Sequence, residues 1–413
     1  MRKPILTIFY QFNPWRSTIG GIQTLIRSYI KYAPPEFDLR LVGTGVDPKQ
    51  TLGHWHDSEL EGRSLQFMPL FDAQDDNVRK IVPTSVRYTL ALRGKNLASD
   101  FMHFHRLEPT LMTRHWSGEK TLFIHNDIHQ QINNASASKN AILWRRFPNV
   151  YFALERNLLE QFQQILSCNS DSIDLYRRQY PQWADRIQLV RNTVDNEVFY
   201  PLSSSDKEEQ RQRYASQTGL PPNTRFILFA GRLHPQKDPL LLVRAMAALQ
   251  PLAEQNAPVH LLIAGQGELM ESIREEIQTL NLTTSVSLLG AVALRDLAAL
   301  HRLSSAVVLT SAYEGLPLVV LEALASGTPV VTTNCGETPR FLMPGSGVVC
   351  QERAPQAIAA AIHKVLDRPE QFPTQACLDT AGPFAVRTVL GQIYESMYAR
   401  WMQSAKIFSS PPY

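Results

Sequence analysis

Short runs of β-branched and aromatic residues alternate along the chain with segments whose apolar positions recur at helical spacing. This alternation is typical of parallel sheets built from strand–helix–strand units. In the first half, strands are predicted near 4–10, 38–43, 64–68, 100–104, 120–125, 165–168 and 186–190. In the second half, they are predicted near 225–230, 258–264, 285–289, 305–310, 329–333 and 346–350. The pattern therefore indicates an α/β protein with two sheets.

A polar segment separates the two groups of strands. Residues 192–210 contain Pro201 and three consecutive serines, and then open a charged helix. We therefore predict an N-terminal domain over 1–195 and a C-terminal domain over 196–383. A final helix and tail, 384–413, follow the second sheet after a Gly-Pro pair, and we expect this helix to cross back to the first domain.

Composition and charge add little to this picture. The 413 residues carry 41 Lys and Arg against 38 Asp and Glu, and a net charge of +3 is too small to indicate a nucleic-acid partner. Residues 1–195 carry 24 basic and 19 acidic side chains, which favours a weak peripheral contact with a membrane surface, although random scatter explains the excess as well.

Nothing in the sequence predicts export or insertion into a bilayer. No apolar stretch approaches the roughly 20 residues of a membrane span, and the N-terminus has no signal-peptide pattern, so we interpret it as the first strand. The four widely spaced cysteines suggest neither a disulfide framework nor a zinc site. A cytoplasmic location, at the inner face of the membrane if contact occurs, fits these features best.

The loop at 231–239 (GRLHPQKDP) is the first candidate for chemistry. It follows an apolar strand and leads into a helix, and it carries Arg232 and Lys237. Two cations beside a helix N-terminus, at the carboxyl end of a parallel strand, form an anion site suited to a diphosphate. The alternative is an ordinary solvated basic loop.

A second candidate lies at 311–331 (SAYEGLPLVVLEALASGTPVV). Here a strand ends, Glu314 and Gly315 occupy a turn, Pro317 falls in the first turn of a helix, and Glu322 lies about two turns along it. The two carboxylates can accept hydrogen bonds from sugar or ribose hydroxyls. Because the helix is apolar around Glu322, that acid is expected to have a buried partner.

Other patterns are less specific. Residues 259–273 place Gly-x-Gly between a strand and a helix, but Met270 occupies the third glycine of the dinucleotide fingerprint, which leaves open a nucleotide-binding turn and a plain strand-to-helix turn. The eight-residue spacing of Glu314 and Glu322 is weak evidence by itself, since Glu268 and Glu276 have the same spacing.

In the first half, Gly20 and Gly21 permit close backbone approach to a ligand, or mark an ordinary helix start. His125 and Asp127 follow a predicted strand, where open α/β sheets bind ligands. His103, His105 and His129 show no recognised metal-ligand spacing with a carboxylate, so no metal site is predicted.

Together these motifs resemble the retaining glycosyltransferases of family 4, which have the GT-B fold of two facing Rossmann-like domains. The resemblance covers most of the chain and is strongest from 226 to 331, where the GRL…K loop, the GQGE turn and the segment EGLPLVVLE…ALASGTPVV follow the family's order. The segment LVRNTVDNEVFYP (189–201) is similar to the family's interdomain sequence.

The resemblance implies roles for these residues. Arg232 and Lys237 would bind the donor diphosphate, Glu314 the hydroxyls of the transferred sugar, and Glu322 the ribose. His125 would face the sugar from the N-terminal domain and, with Arg232, Lys237 and Glu314, belong to the catalytic set. The further donor contacts implied are Gly20, Gly21, Val292, Gly315, Leu316, Pro317 and Leu318.

The sequence differs from the family pattern at five positions. Asp238 and Thr193 each replace a glycine, and Gln23 replaces an acid. In CGETPR, Glu337 and Arg340 stand where the family has Gly and Glu, at a region that often borders the donor.

The resulting hypothesis is a retaining, metal-independent transfer of a hexose from a nucleotide diphosphate sugar. A UDP-hexose such as UDP-glucose is favoured, with GDP-mannose next, and the acceptor is expected to be a saccharide or lipid-linked saccharide of surface polysaccharide or glycolipid synthesis. The alternatives are a GT-B epimerase or phosphorylase, or a non-catalytic nucleotide-sugar-binding partner.

Overall fold

The computed structural model describes residues 2–16, 20–45, 50–73, 83–125, 148–253 and 257–409. Its chain divides into two compact units, the first formed by Met1–Arg191 with Arg387–Tyr413 and the second by Asn192–Val386. The predicted boundaries after residues 195 and 383 lie four and three residues from these divisions.

The first unit contains one sheet with the strand order β3-β4-β2-β1-β5-β6-β7-β8. Its strands are β1 Ile5–Phe9, β2 Asp38–Gly43, β3 His56–Leu60, β4 Arg63–Pro69, β5 Phe101–Phe104, β6 Glu119–Ile124, β7 Gln164–Ser167 and β8 Ile187–Leu189. The α-helices described before the second unit are α1 Gly21–Lys31, α2 Thr84–Ala91, α3 Pro148–Leu159 and α4 Ser170–Gln179.

Strand β3 was not predicted, and its direction departs from the expected parallel arrangement. It pairs antiparallel with β4 at the edge of the sheet. The turn between the two strands uses Glu61 and Gly62, both at positive φ, which suits a tight two-residue hairpin. The sequence HDSEL is mostly polar because an edge strand has little of its surface covered, so its hydrophobic signal is weak.

The second unit contains a wholly parallel sheet with the order β11-β10-β9-β12-β13-β14. Its strands are β9 Arg225–Ala230, β10 Val259–Ala264, β11 Val286–Gly290, β12 Ala306–Leu309, β13 Val330–Thr333 and β14 Gly347–Cys350. Its α-helices are α5 Ser204–Gln217, α6 Pro239–Ala253, α7 Met270–Thr279, α8 Leu294–Leu303, α9 Leu318–Ala325, α10 Thr338–Phe341, α11 Pro355–Asp367 and α12 Thr374–Ala381.

The core of the second unit explains why its strands were readable from sequence. Strands β9, β10 and β12 are almost continuously apolar and buried, because helices cover both faces of a parallel sheet. The six strands predicted in this half, like the seven predicted in the first, coincide with strands of the structure, which confirms the α/β class.

Strand order creates a particular position in this sheet. Strand β9 lies between β10 and β12, so the chain winds outward in one direction through β10 and in the other through β12. The loops that follow β9 and β12 therefore start at the same edge of the sheet and lead to opposite sides of it. The place between them, where the strand order reverses, is the switch point at which open α/β sheets bind ligands.

The last helix, α13 Val386–Ser409, lies almost entirely in the first unit. The Tyr394 hydroxyl donates to the backbone carbonyl of Tyr29 at 2.8 Å. The Arg400 guanidinium makes two hydrogen bonds, of 2.7 and 2.8 Å, to the carboxylate of Glu119. The C-terminal helix therefore packs on the N-terminal sheet domain. Among the described residues, no helix is both long and apolar enough to cross a membrane.

Candidate functional site

The loops after β9 and β12 are tied together by hydrogen bonds. The backbone N–H of Ala312 donates to the carbonyl of Gln236 at 2.8 Å, and the Gln236 side chain donates to the carbonyl of Tyr313 at 3.1 Å. The Thr310 hydroxyl contacts the carbonyls of Lys237 and Asp238 at 2.9 and 2.8 Å. These bonds fix the backbone of the 231–239 loop against the turn that carries Glu314.

An ion pair between Lys237 and Glu314 lies at the centre of this arrangement. The Lys237 ammonium donates to Oε1 of Glu314, and the Ser311 hydroxyl donates to the same oxygen at 2.6 Å. The Glu314 side chain is only 7% exposed, whereas that of Lys237 is 24% exposed. The structure thus brings together two residues that the sequence placed 77 positions apart, one acidic and one basic, at the switch point.

Asp238 shows how the loop accommodates a residue in place of glycine. Its φ of +44° lies in the left-handed region, where Asp is tolerated better than most residues. Its carboxylate accepts a 2.6 Å bond from Arg353 and a 3.3 Å bond from the backbone N–H of Leu241 in the first turn of α6. These contacts hold the backbone next to Lys237 in place.

The Gly-x-Gly turn after β10 packs against the same loop. The backbone N–H of Leu233 donates to the carbonyl of Gln266 at 2.9 Å. A Cβ added to Gly265 would lie 1.8 Å from the carbonyl oxygen of Gly231, and one added to Gly267 would lie 2.2 Å from that of Leu233. Both glycines are therefore required for close approach of two backbones, a role that explains the motif without a dinucleotide.

Arg232 and Val292 follow two different strands of the second sheet. Arg232 is an exposed residue of the loop after β9. Val292 is half-buried and follows β11, whose terminal Gly290 accepts a 2.7 Å bond from the N–H of Gly265. Both residues therefore lie in loops at the carboxyl edge of the second sheet.

The EGLPL segment forms the entry to α9. Pro317 is the N-cap residue rather than part of the first turn, and the helix begins at Leu318. Glu322 is therefore just over one turn along the helix, and the predicted two turns are wrong. Leu316 and Pro317 are buried, whereas Gly315 and Leu318 are partly accessible.

Two segments support this turn from outside. The Asn192 amide donates to the carbonyl of Leu316 at 3.0 Å, and the N–H of Glu337 donates to the carbonyl of Gly315 at 3.0 Å. A Cβ on Gly336 would lie 2.5 Å from the latter oxygen, which explains the glycine that CGETPR retains. Glu337 pairs with Arg340 at 2.8 Å, so the two departures from the family pattern compensate each other's charge.

The polar group nearest to Glu322 is a buried imidazole, which lies beyond hydrogen-bond distance. The Glu322 side chain is 12% exposed, and its Oε2 lies 3.6 Å from Nε2 of His301, which is fully buried in the last turn of α8. The ring of Phe199 meets the imidazole edge-on at 5.5 Å. No local sequence signal identified His301, because the two residues come from different helices.

Cys335 also lies at this edge of the sheet. Its thiol lies 3.5 Å from both the carbonyl of Ser311 and the hydroxyl of Thr333, and burial raises its pKa. The thiol is therefore protonated near neutral pH and acts as a small apolar group beside Glu314.

In the first unit, Gly20 is the N-cap of α1 and Gly21 its first residue. His125 directly follows β6, and its Nε2 lies 2.8 Å from Nδ1 of His105. Asp127 and His129 lie outside the described residues. No group of three or more His, Cys, Asp or Glu side chains able to hold a metal ion occurs in the part of the chain that the structure describes.

Comparison with known proteins agrees with this geometry. Residues 210–376, which include the loops after β9, β10 and β12, match the sequence profile described as glycosyl transferases group 1. We call residues 210–376 the group 1 region because of this similarity. The group 1 region contains the Lys237–Glu314 pair and Glu322, and the match confirms the family resemblance drawn from the sequence at this level.

The alignments with curated relatives cover about half of this chain. D-inositol 3-phosphate glycosyltransferase from Corynebacterium glutamicum is 27% identical over 221 residues, 52% of this chain and 52% of that protein. The chain thus spans about half the length of the curated relatives it matches.

Solved structures match the whole architecture. Sucrose-phosphate synthase from Thermosynechococcus elongatus has a TM-score of 0.76 at 18% identity, covering 96% of this chain and 100% of that one. Anabaena Alr3699/HepE in complex with UDP and glucose has a TM-score of 0.69 at 16% identity, covering 96% and 100%. These similarities show that the chain has the GT-B fold, in which each of the two units is a Rossmann-like domain.

Proposed function

We propose that this protein is a glycosyltransferase that transfers a hexose from a nucleotide diphosphate sugar to a saccharide or lipid-linked saccharide. The observation that carries the proposal is the Lys237–Glu314 pair, held by Ser311 at the switch point in the group 1 region. An ion pair at this place supplies one cation for a phosphate and one carboxylate for sugar hydroxyls.

The donor diphosphate binds at the loop after β9. Transfer requires stabilisation of negative charge on the departing diphosphate, which Lys237 and exposed Arg232 supply together with the N-terminus of α9. We propose that these groups perform this task without a metal ion. Backbone groups of 315–318 line the sugar and phosphates, and Val292 lies near the base.

Glu322 binds the ribose. Its side chain is largely buried, with 12% exposed, and the two oxygens of a carboxylate can accept hydrogen bonds from two adjacent hydroxyls. In the first unit, Gly20 and Gly21 approach the phosphate and His125 binds a hydroxyl of the transferred sugar.

The anomeric configuration is retained in this proposal. The acceptor hydroxyl attacks from the face that the diphosphate leaves, and the diphosphate oxygen accepts its proton. The bond from the anomeric carbon to the diphosphate breaks as the bond to the acceptor forms. Glu314 is not the nucleophile, because a double displacement needs a second carboxyl group beside the anomeric centre and Glu322 is assigned to the ribose.

A UDP-hexose such as UDP-glucose is the preferred donor, with GDP-mannose next. UDP and glucose occupy HepE of Anabaena, with which this chain shares its fold. The acceptor belongs to surface polysaccharide or glycolipid synthesis, and peripheral contact with the inner membrane face is part of the proposal.

Thermal unfolding with UDP, GDP and ADP, each alone and as its sugar conjugate, tests the donor assignment. A ligand at 100 times its Kd adds about 2.7 kcal/mol to the free energy of unfolding, so one base is expected to raise the midpoint clearly. Lys237→Ala is expected to abolish this shift and transfer, whereas Lys364→Ala, at an exposed position on α11, retains both.

Product analysis then separates the proposal from its alternatives. Release of nucleoside diphosphate with an α-linked product from an α-linked donor, seen by proton NMR, supports retaining transfer. Stabilisation without turnover over a panel of saccharide acceptors would instead support a binding partner. No shift with any nucleotide, combined with visible absorbance from a lysine-bound cofactor, would support a phosphorylase.

A further inference from the structure

A stack of aromatic rings lies at the carboxyl ends of β5 and β6. His103 is on β5, His105 follows it two residues later on the same face, and Phe123 and His125 have the same relation on β6. The ring of His105 stacks on Phe123 with centroids 4.8 Å apart and planes 11° apart. The ring of His125 lies beside that of His105 in nearly the same plane, with centroids 5.0 Å apart and planes 12° apart.

A hydrogen bond joins the rings of His105 and His125 edge to edge. Nδ1 of His105 lies 2.8 Å from Nε2 of His125. One of these nitrogens donates its proton and the other accepts, so the bond fixes the protonation of both rings. Because Nε2 of His125 is engaged, Nδ1 is the nitrogen through which His125 can contact another molecule.

Loss of hydration makes both rings neutral. His105 is 2% exposed, and desolvation lowers its pKa well below the ordinary value, with repulsion from any positive charge on His125 or His103 acting in the same direction. Desolvation also lowers the pKa of His125, and the positive charge of Arg106 adds to this effect. Neither ring is therefore a cation at neutral pH.

The second ring nitrogen of His105, Nε2, indicates which of the two rings donates the hydrogen bond. Its Nε2 is buried and has no hydrogen-bond partner among the described residues. If His125 were the donor, His105 would carry its proton on Nε2 as a buried N–H without an acceptor, which is rarer in proteins than an acceptor left without a donor. A proton on Nδ1 of His105, donated to His125, avoids this arrangement.

We infer that His105 is a positioning residue that donates from Nδ1 to Nε2 of His125 and so holds His125 with its own proton on Nδ1. This inference rests on the proposed function, in which His125 binds a sugar hydroxyl. It specifies the chemistry of that contact: His125 is a neutral hydrogen-bond donor toward a hydroxyl oxygen, and neither a general base nor a cation.

Nitrogen NMR on the full chain labelled with ring-15N histidine tests the protonation directly, without substrate. The signal of His125 is assigned with His125→Asn. We expect Nδ1 to carry the proton and Nε2 to be an unprotonated acceptor, and His105→Phe to convert His125 to a mixture of the two forms. A proton found on Nε2 of His125 in the unchanged protein would overturn the inference, whether or not the protein transfers sugar.

Kinetics test the consequence for transfer. His105→Phe retains the stacking but loses the donor, so kcat is expected to fall about tenfold while the donor KM stays within about twofold. His105→Asn places an amide nitrogen where Nδ1 was and is expected to recover most of the loss, whereas His105→Gln extends past that position and is not.

His103→Phe is the matched control, because His103 packs against the same Phe123 ring but has no bond to His125. Its kcat is expected to be unchanged. Equal losses in the Asn and Phe variants of His105, with both folded, would contradict the positioning role. Absence of transfer in the unchanged protein, with the expected protonation present, would instead contradict the proposed function alone.

Discussion

The Lys237–Glu314 pair has a structural role and a proposed chemical role, and substitutions of Lys237 can separate the two. Lys237→Met keeps most of the side-chain volume and removes the charge that faces Glu314. The Glu314 side chain is 7% exposed, so its carboxylate would lose an ionic partner in a site with little water. Exposed pairs contribute at most about 1 kcal/mol, whereas breaking a fully buried pair costs about 3–5 kcal/mol.

The pair lies between these limits, because the Lys237 side chain is 24% exposed. We therefore expect the free energy of unfolding to fall by about 2 kcal/mol, which lowers the thermal midpoint of a domain of this size by roughly 4–8 °C. Turnover is expected to fall by a factor of about 10²–10³, the usual effect of removing one group that stabilises charge in the transition state.

The double variant Lys237→Met with Glu314→Gln distinguishes the two effects. Because it removes both charges, it is expected to recover most of the lost midpoint, but it cannot recover turnover. Calorimetry gives the midpoint and release of nucleoside diphosphate gives the turnover. A double variant less stable than the single one, or a Lys237→Met protein with normal turnover, would refute the reasoning.

Three further predictions follow from the same geometry. Gly265→Ala places a Cβ 1.8 Å from a backbone oxygen, so we expect calorimetry to show a sharply lower thermal midpoint and no nucleotide binding. Gly391→Ala on α13 is the control, because a Cβ there meets nothing within 4 Å, and its midpoint is expected to be unchanged or higher. Glu322→Gln is expected to weaken nucleotide affinity about tenfold in titration calorimetry, and Glu276→Gln, at the other acidic pair, to leave it unchanged. Burial, reinforced by the charge of Arg400, lowers the pKa of His103 to about 3. Because the unfolded chain therefore binds more protons, stability falls by up to about 1.4 kcal/mol per pH unit from pH ~6.5 toward 3, and denaturation of His103→Phe over this range should show a smaller decline.

Much of the fold was predictable because local sequence records local burial. A strand such as β9 is covered on both faces, so the run RFILFA is apolar throughout, and its position could be predicted from the sequence alone. The edge hairpin was not predicted, because β3 is half exposed and its residues are mostly polar. A strand can be predicted from its hydrophobic pattern only where most of its side chains are buried.

The position of these charged side chains at one sheet edge was predictable for a related reason. Parallel strands end at one edge of a sheet, so any charged residue directly after a strand, such as Lys237 or Glu314, belongs to that edge whatever the strand order. The sequence also indicated a buried polar neighbour for Glu322, since an acid within an apolar helix is costly without one. It did not indicate that the nearest such group would be His301.

Tertiary structure alone decided the pairings. Lys237 lies against Glu314 because β9 and β12 are neighbours, and Arg353 reaches Asp238 across 115 residues of sequence. His105 bonds to His125 because β5 pairs in register with β6. The sequence by itself therefore determined which residues stand at the edge of each sheet, through periodicity and burial. Only the order of the strands, a property of the whole chain, determined which of them meet.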